Sequence, residues 1–302
     1  MIKRVIDVSE RAFIHMKHKQ LLIERDQETI AKIPIEDLGL VILQHRAIVL
    51  TQAVIIACQE NNVVLVFCDK QHLPYSVILP ISDANSLHTK VLIEQTKVPE
   101  PTRKRLWKQV VQFKIREQAL TLKLLNKNSK PLEHLAKQVK TGDKENHEAQ
   151  AAKKYWRLLM GDEFRRTPKS GEVNALLNYG YAIIRAIIAR AIVGSGLHPA
   201  LGLHHHNQYN GLCLADDLME PFRPWVDYCV YQMVQSGQIL EVNIESKKIL
   251  LGLLSESVIW KDKTLPFMVA SHHVTANLKR AYSDNTVKML FPSLVSRDQK
   301  LI

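Results

Sequence analysis

The apolar residues of this 302-residue chain change period once, near residue 80, and that change limits the fold more than any other feature. Before it, "KRVIDVS", "AFIHMKH", "QLLIERD", "LGLVILQ" and "VVLVFCD" are short β-rich runs separated by polar turns. One exception, "TQAVIIACQEN" at 51–61, has helical spacing at Ala53, Ile56 and Ala57, and Thr51 is placed to cap it. "ILPISDANS" at 78–86 is rich in turn formers and marks a boundary. After it, helical stripes dominate. "RKRLWKQVVQFKIREQALTLKLL" sets Leu106, Val110, Phe113, Leu120 and Leu124 on one face. Further helices are expected in "EVNALLNYGYAIIRAIIARAIVGSG", ended by Gly194 and Gly196, in "EPFRPWVDYCVYQMVQSG", ended by Gly237, and in "LPFMVASHHVTANLKRAY". The expectation is an α+β chain. A small β-rich N-terminal domain (1–80) and a linker (81–86) precede a larger, all-helical C-terminal domain (87–302).

Charge narrows the function. The chain carries a formal net charge of +11, which favours a polyanionic partner. No apolar run approaches the roughly 20 residues of a membrane span, and the start, "MIKRVIDVSE", lacks the apolar core of a signal peptide. The longest apolar segment is interrupted by Arg185 and Arg190, so no membrane partner is expected. Cys58, Cys68, Cys213 and Cys229 show no CxxC spacing and read as reduced thiols of a cytoplasmic protein. Nucleic acid is the better partner. Between Lys97 and Lys144 thirteen Lys or Arg stand against four acids, a net of +9. A solvated helical face and a phosphate-backbone track both fit that run; Arg103, Lys104, Arg105, Lys108 and Lys114 are its DNA-contact candidates. No base-reading motif accompanies it.

The chemistry-bearing stretch is "HHHNQYNGLCLADDLMEPFRPWVD", 204–227. Asp217 and Glu220 are three apart and share a face if helical. They can be a cap and its reciprocal partner, with the prolines in the first turn, or they can be metal ligands. Zinc would want HxxxH or CxxC spacing, and neither is present here. One imidazole with two or three carboxylates suits Mg²⁺ or Mn²⁺ better. "NHEAQAAKKYW" offers a further carboxylate, Glu148, in the first turn of a helix whose Ala149, Ala151 and Ala152 permit close approach. Arg223 is expected to pair with Asp227 at i,i+4, and otherwise to meet DNA. Asn174, Asn178 and Tyr181 share a face, for packing or for the site. There is no GxxxxGK[ST] phosphate loop.

Glu148-x-x-Ala151-Ala152-x-x-Tyr155, "LLNYGYAI" (176–183), "GLHPALGLHH" (196–205) and "DLMEPFRPWVD" (217–227) stand in one order, after "IPIEDLGLVILQH" and "ENNVVLVFCDKQHLP". Over essentially its whole length the chain resembles CRISPR-associated protein 1, the integrase and endonuclease of spacer acquisition. It looks like the branch that accompanies a single large RNA-guided effector nuclease, itself a possible partner. The resemblance implies Glu148, His205 and Glu220 as catalytic metal ligands for Mg²⁺ or Mn²⁺. Asp217 would support them, with His204 and His206 as bystanders. Ala149 departs from the Glu-Gly of many members, and Asp216 is an extra acid with no implied role. The resemblance also implies a homodimer formed through the β-rich domain. Two such dimers flank a dimer of the small ferredoxin-like CRISPR-associated protein 2. The assembly binds prespacer DNA and inserts it into the repeat array. A stand-alone nuclease on branched DNA and a catalytically silent DNA-binding scaffold are the competing readings.

Overall fold

A computed structural model describes residues 3–81, 87–167, 171–237 and 241–294. The linker expected at 81–86 lies, apart from Ile81, outside the described residues. The N-terminal region is two four-stranded sheets. Strands β1 (Arg4–Val8), β5 (Leu38–Leu43), β7 (Val64–Cys68) and β8 (Pro74–Ile78) form one, in the order β1-β5-β7-β8, with the first three parallel. Strands β2 (Phe13–Lys17), β3 (Gln20–Arg25), β4 (Glu28–Pro34) and β6 (Val49–Leu50) form the other, ordered β4-β3-β2-β6. The expected helix is α1 (Gln52–Glu60); Thr51 stands at its N-cap without a side-chain capping bond.

The run "LGLVIL" explains how the sheets and helices join. All six residues of β5 are buried, which a parallel strand covered on both faces requires. Side chains alternate along a strand. Leu40 and Ile42, with Val64 and Val66 of β7, enter the core of the helical region. Val41 and Leu43, with Leu65, enter a second core shared with β2, β3 and α1.

The helical region is α2 (His88–Thr96), α3 (Glu100–Leu124), α4 (Lys130–Gln138), α5 (His147–Met160), α6 (Glu172–Gly194), α7 (Cys213–Met219), α8 (Arg223–Ser236), α9 (Ile244–Gly252) and α10 (Phe267–Ser283). It is not all helical: β9 (Ser257–Trp260), β10 (Lys263–Pro266) and β11 (Ser293–Leu294) make an antiparallel sheet ordered β10-β9-β11. These strands are at most four residues long, too short to show a period-2 pattern. The buried stripe of α3 also differs from the expected one. Leu106, Val110, Trp107, Val111, Ile115 and Ala119 are buried, whereas Phe113, Leu120 and Leu124 are only partly covered. Helix α6 is long and apolar enough to cross a membrane by length and composition, contrary to expectation, yet 83% of its apolar window is buried inside the protein. It is the core helix. Gly180 lets α8 approach it, since a Cβ there would sit 2.4 Å from a methyl of Val226.

Candidate active site

Glu148 owes its position to the start of α5. Asp143 accepts hydrogen bonds from the backbone N–H of His147 at 2.9 Å and of Glu148 at 3.0 Å, satisfying two donors that a helix start leaves free. Ala151, Tyr155 and Leu159 are buried on the same side of the helix as Glu148, while Ala149 is exposed and Ala152 half-buried; of the three alanines only Ala151 serves close packing. Glu220 begins a single 3₁₀ turn, Glu220–Phe222, directly after α7. Pro221 and the next helix's Pro224 are tolerated because first-turn N–H groups have no helical partner. Asp217 is within α7, not at a cap, so the capping reading of Asp217 and Glu220 does not hold.

Glu148 and Glu220 converge on one cation, the ammonium of Lys114 in α3. Its Nζ is 2.6 Å from a carboxylate oxygen of Glu148 and 2.5 Å from one of Glu220. The other Glu220 oxygen meets Arg223 Nε at 2.8 Å. Burial alone would raise the pKa of Glu220; the charges of Arg223 and Lys114 outweigh it and bring it to about 2. Burial would likewise lower the pKa of Lys114, but Glu220 and Glu148 leave it above the ordinary lysine value. Two carboxylates brought together in a poorly solvated place require such a charge between them.

His205 stands beside this pair, close enough that it and Glu220 each feel the other's charge. Among the described residues no three His, Cys, Asp or Glu side chains close on one point. What is fixed is the orientation of His205. Its Nδ1 is 2.6 Å from Asp217 Oδ1, a bond that raises the imidazole's pKa. With Nδ1–H donating to that carboxylate, Nε2 keeps its lone pair. Asp217 is fully buried and also accepts from the backbone N–H of Leu203 at 2.5 Å, His204 at 3.0 Å and His205 at 3.3 Å. Gly202 makes that turn possible: a Cβ there would lie 2.4 Å from the His205 carbonyl oxygen and 2.8 Å from Asp217 Oδ2.

The donor set fits a hard divalent cation. It offers two carboxylates already gathered round a positive charge and an imidazole whose free nitrogen a neighbouring carboxylate has oriented. Lys114 occupies the place between the two glutamates.

The remaining predicted residues distribute as follows. Arg223 pairs with Glu220 rather than Asp227; Asp227 instead accepts a hydrogen bond from the Tyr181 hydroxyl. Asn174 and Asn178 hold Arg166, whose donors lie 2.8 and 2.6 Å from their side-chain oxygens. Asp216 binds Arg185 at 2.6 and 3.1 Å and Asn210 at 2.6 Å, pinning the loop that follows the histidines. Arg105 donates to the carbonyls of Val287 and Ala281 and to Asn285. Lys104, exposed, pairs with Glu100 at 2.5 Å. Arg103 and Lys108 are half-buried on the same helix. Sequence reasoning missed Asp143 and did not see that Lys114 belongs between the glutamates; no local pattern joins α3 to α5 and α7.

Comparison with known proteins places these residues in a family. The family described as CRISPR associated protein Cas1 matches residues 6–259, a span that includes Glu148, His205 and Glu220. The chain belongs to the Cas1 family. A CRISPR-associated endonuclease Cas1 of Neisseria meningitidis serogroup C (strain 8013) is 32% identical over 280 residues, covering 92% of this chain and 91% of that Cas1. A casposase bound to integration product superposes with a TM-score of 0.78 at 20% identity, over 96% of this chain and 92% of the casposase. A chain of a Cas6-RT-Cas1–Cas2 complex superposes with a TM-score of 0.75 at 19% identity, over 95% of this chain and 36% of that one. At those identities the two structures speak for the Cas1 fold.

Proposed function

We propose that this chain is the integrase of CRISPR adaptation, a metal-dependent DNA strand transferase with associated endonuclease activity. The observation that carries the reading is the convergence of Glu148 and Glu220 on one buried positive charge beside an oriented His205. In strand transfer a 3′-hydroxyl oxygen forms a bond to phosphorus, and the bond to the leaving 3′-oxygen breaks. One phosphodiester replaces another, so no nucleoside triphosphate is needed.

Glu148, Glu220 and His205 Nε2 would hold Mg²⁺ or Mn²⁺. When bound, the ion lowers the pKa of the attacking hydroxyl and offsets charge on the phosphoryl oxygens. Asp217, bonded to His205 Nδ1, would leave Nε2 free for that ion. Arg223, fixed against Glu220 and over the Tyr181 ring at 4.6 Å, places a permanent charge where a scissile phosphate would approach. Water in place of the 3′-hydroxyl gives hydrolysis, the nuclease reaction.

The assembly proposed is a homodimer that joins the small ferredoxin-like CRISPR-associated protein 2, consistent with a Cas1-like fold inside a complex that bears both names. Phe13 and Val49 are register partners on β2 and β6, and they and Ile30 of β4 are 42%, 56% and 51% exposed. An apolar patch of that kind on one sheet suits a protein interface.

A strand-transfer assay with Mn²⁺, the partner subunit and a duplex with 3′ overhangs tests the reading. Glu220→Ala abolishes joined product and leaves DNA binding within about twofold. Joined product from that variant would exclude the assigned centre.

A further inference from the structure

The candidate ligand His205 stands in irregular chain. Residues 195–212, all of them described, form no helix or strand between α6 and α7. Backbone groups there must find their partners outside a regular ladder. At 203–205 the partner is the buried carboxylate of Asp217. Just before, at 198–201, it is a side chain from a distant helix, Gln95 of α2. Gln95 Oε1 accepts from the His198 N–H at 2.8 Å. Its Nε2 donates to the carbonyl oxygens of His198 and Leu201, each at 3.1 Å. One amide thus clasps both ends of a turn that lies more than a hundred residues away in sequence.

Gln95 is 4% exposed. A buried amide costs stability unless it is paired, and an apolar side chain would cover the same surface without that cost. Val98, Leu197 and Tyr282, which line a cavity of about 250 Å³ with it, would suit such a residue. The amide is therefore explained by what it holds. Its orientation is fixed too, because exchanging its oxygen and nitrogen would face donor to donor and acceptor to acceptors. On its far side the same turn is tied to α7: the Pro199 carbonyl accepts from the Leu214 N–H at 2.8 Å. His205 follows four residues after Leu201.

We propose that Gln95 is a positioning residue for the candidate metal centre. It sets where the chain enters the reversal at 203–205, and so brings the His205 ring onto Asp217. It takes no part in bond exchange. This rests on the metal-dependent function proposed above and adds to it a support from α2, which supplies none of the ligands.

The test uses the full chain in three forms: native, Gln95→Ala and Val91→Ala. Val91, 2% exposed, is buried one turn before Gln95 on the same face of α2, and its apolar side chain holds no part of the turn. Both variants loosen α2 and lower the melting temperature. The cavities of about 250 and 170 Å³ that Gln95 lines let water reach the backbone groups that Gln95→Ala frees, so the variant folds. Calorimetry is expected to show Mn²⁺ affinity roughly tenfold weaker in Gln95→Ala, the scale of losing an outer support of a metal ligand, and native in Val91→Ala. In metal-free protein with isotopically labelled histidine, the bonded Nδ1–H signal of His205 stays sharp in Val91→Ala and is lost in Gln95→Ala. The maximal rate of strand transfer falls only in Gln95→Ala, and the DNA concentration for half that rate stays the same. Equal losses in the two variants, or a native His205 signal and Mn²⁺ affinity in Gln95→Ala, overturn the positioning role and leave the integrase reading standing. Native Mn²⁺ binding that is indifferent to His205→Ala overturns the metal centre itself, and the role of Gln95 with it.

Discussion

Lys114 is where residue identity, burial and charge meet most sharply. Its ammonium is the counter-charge of two glutamates that the fold forces together. Breaking a buried ion pair by removing one partner costs about 3–5 kcal/mol. Lys114→Met is therefore expected to lower the melting temperature of the metal-free protein clearly. Mn²⁺ then has no built-in cation to displace, so it raises the melting temperature of the variant more than that of the native chain, by the usual linkage of ligand binding to stability. Equal Mn²⁺-induced shifts would show that the ammonium does not compete for the site. The candidate metal ligands were legible in the sequence through the family resemblance. Glu148, His205 and Glu220 stand in ordered motifs that occur as a set. Lys114 was not, because as one of thirteen cations in a basic run nothing nearby in sequence distinguishes it. Asp217 and Glu220 were expected to share one helical face; Asp217 lies within α7 and turns to residues 203–205, while Glu220 opens the 3₁₀ turn after it and turns to Lys114 and Arg223. What the pair does there is set by Gly202 and the chain reversal at 203–205, which only the folded backbone displays.

At the scale of elements, α3 and α8 are joined by a polar contact in an apolar seam. Trp225 Nε1 donates to Glu117 Oε2 at 2.8 Å, and both side chains are buried. Burial pushes the Glu117 pKa up from 4.5 to about 7, only partly offset by the indole bond. In the unfolded chain this carboxyl loses its proton near 4.5; in the folded chain it keeps it to about 7. The stability it contributes is therefore complete below pH 4.5 and lost as pH rises to 7. That loss is roughly 3 kcal/mol at the usual 1.36 kcal/mol per pKa unit. Glu117→Gln still accepts the indole N–H but cannot ionise. Urea denaturation across that window is expected to show the variant gaining on the native protein with each rise in pH. Parallel curves would mean that Glu117 titrates normally. Long helices such as α6 and α10 were legible because their apolar period runs for many turns. The β9–β10–β11 sheet was not, because four residues carry too little pattern. The stripe of α3 was misplaced because the helix is covered from several directions, by α4, α5 and α8, so no single arc is the inside.

The whole molecule is two cores divided by one sheet, with β5 and β7 sending alternate side chains to each. Arg190 of α6 adds a polar tie, donating to the Asn62 carbonyl at 2.6 Å across the same boundary. The β-rich and helical regions therefore share the β1-β5-β7-β8 sheet as a common wall. The charge distribution is read best at this scale too. Of the basic run at 97–144, Lys114 and Arg105 turn inward to protein partners, whereas Lys104, Arg116 and Lys123 are exposed on α3 and Lys108 is half-exposed. A cation buried against protein partners cannot reach a phosphate and displaces none of the DNA's counterions; an exposed one can, as Lys104 can by exchanging the surface carboxylate of Glu100 for a phosphate. Each phosphate contact contributes about 0.9 to the slope of log affinity against log salt for duplex DNA. Replacing Lys104, Lys108, Arg116 and Lys123 together by Gln should weaken duplex binding and flatten that slope by about 2–4. Arg105→Gln should reduce stability and leave the slope unchanged. A salt titration of duplex affinity by fluorescence anisotropy distinguishes the two sets. Were the fourfold variant to keep the native slope, the phosphate track would have to lie on another face of the molecule.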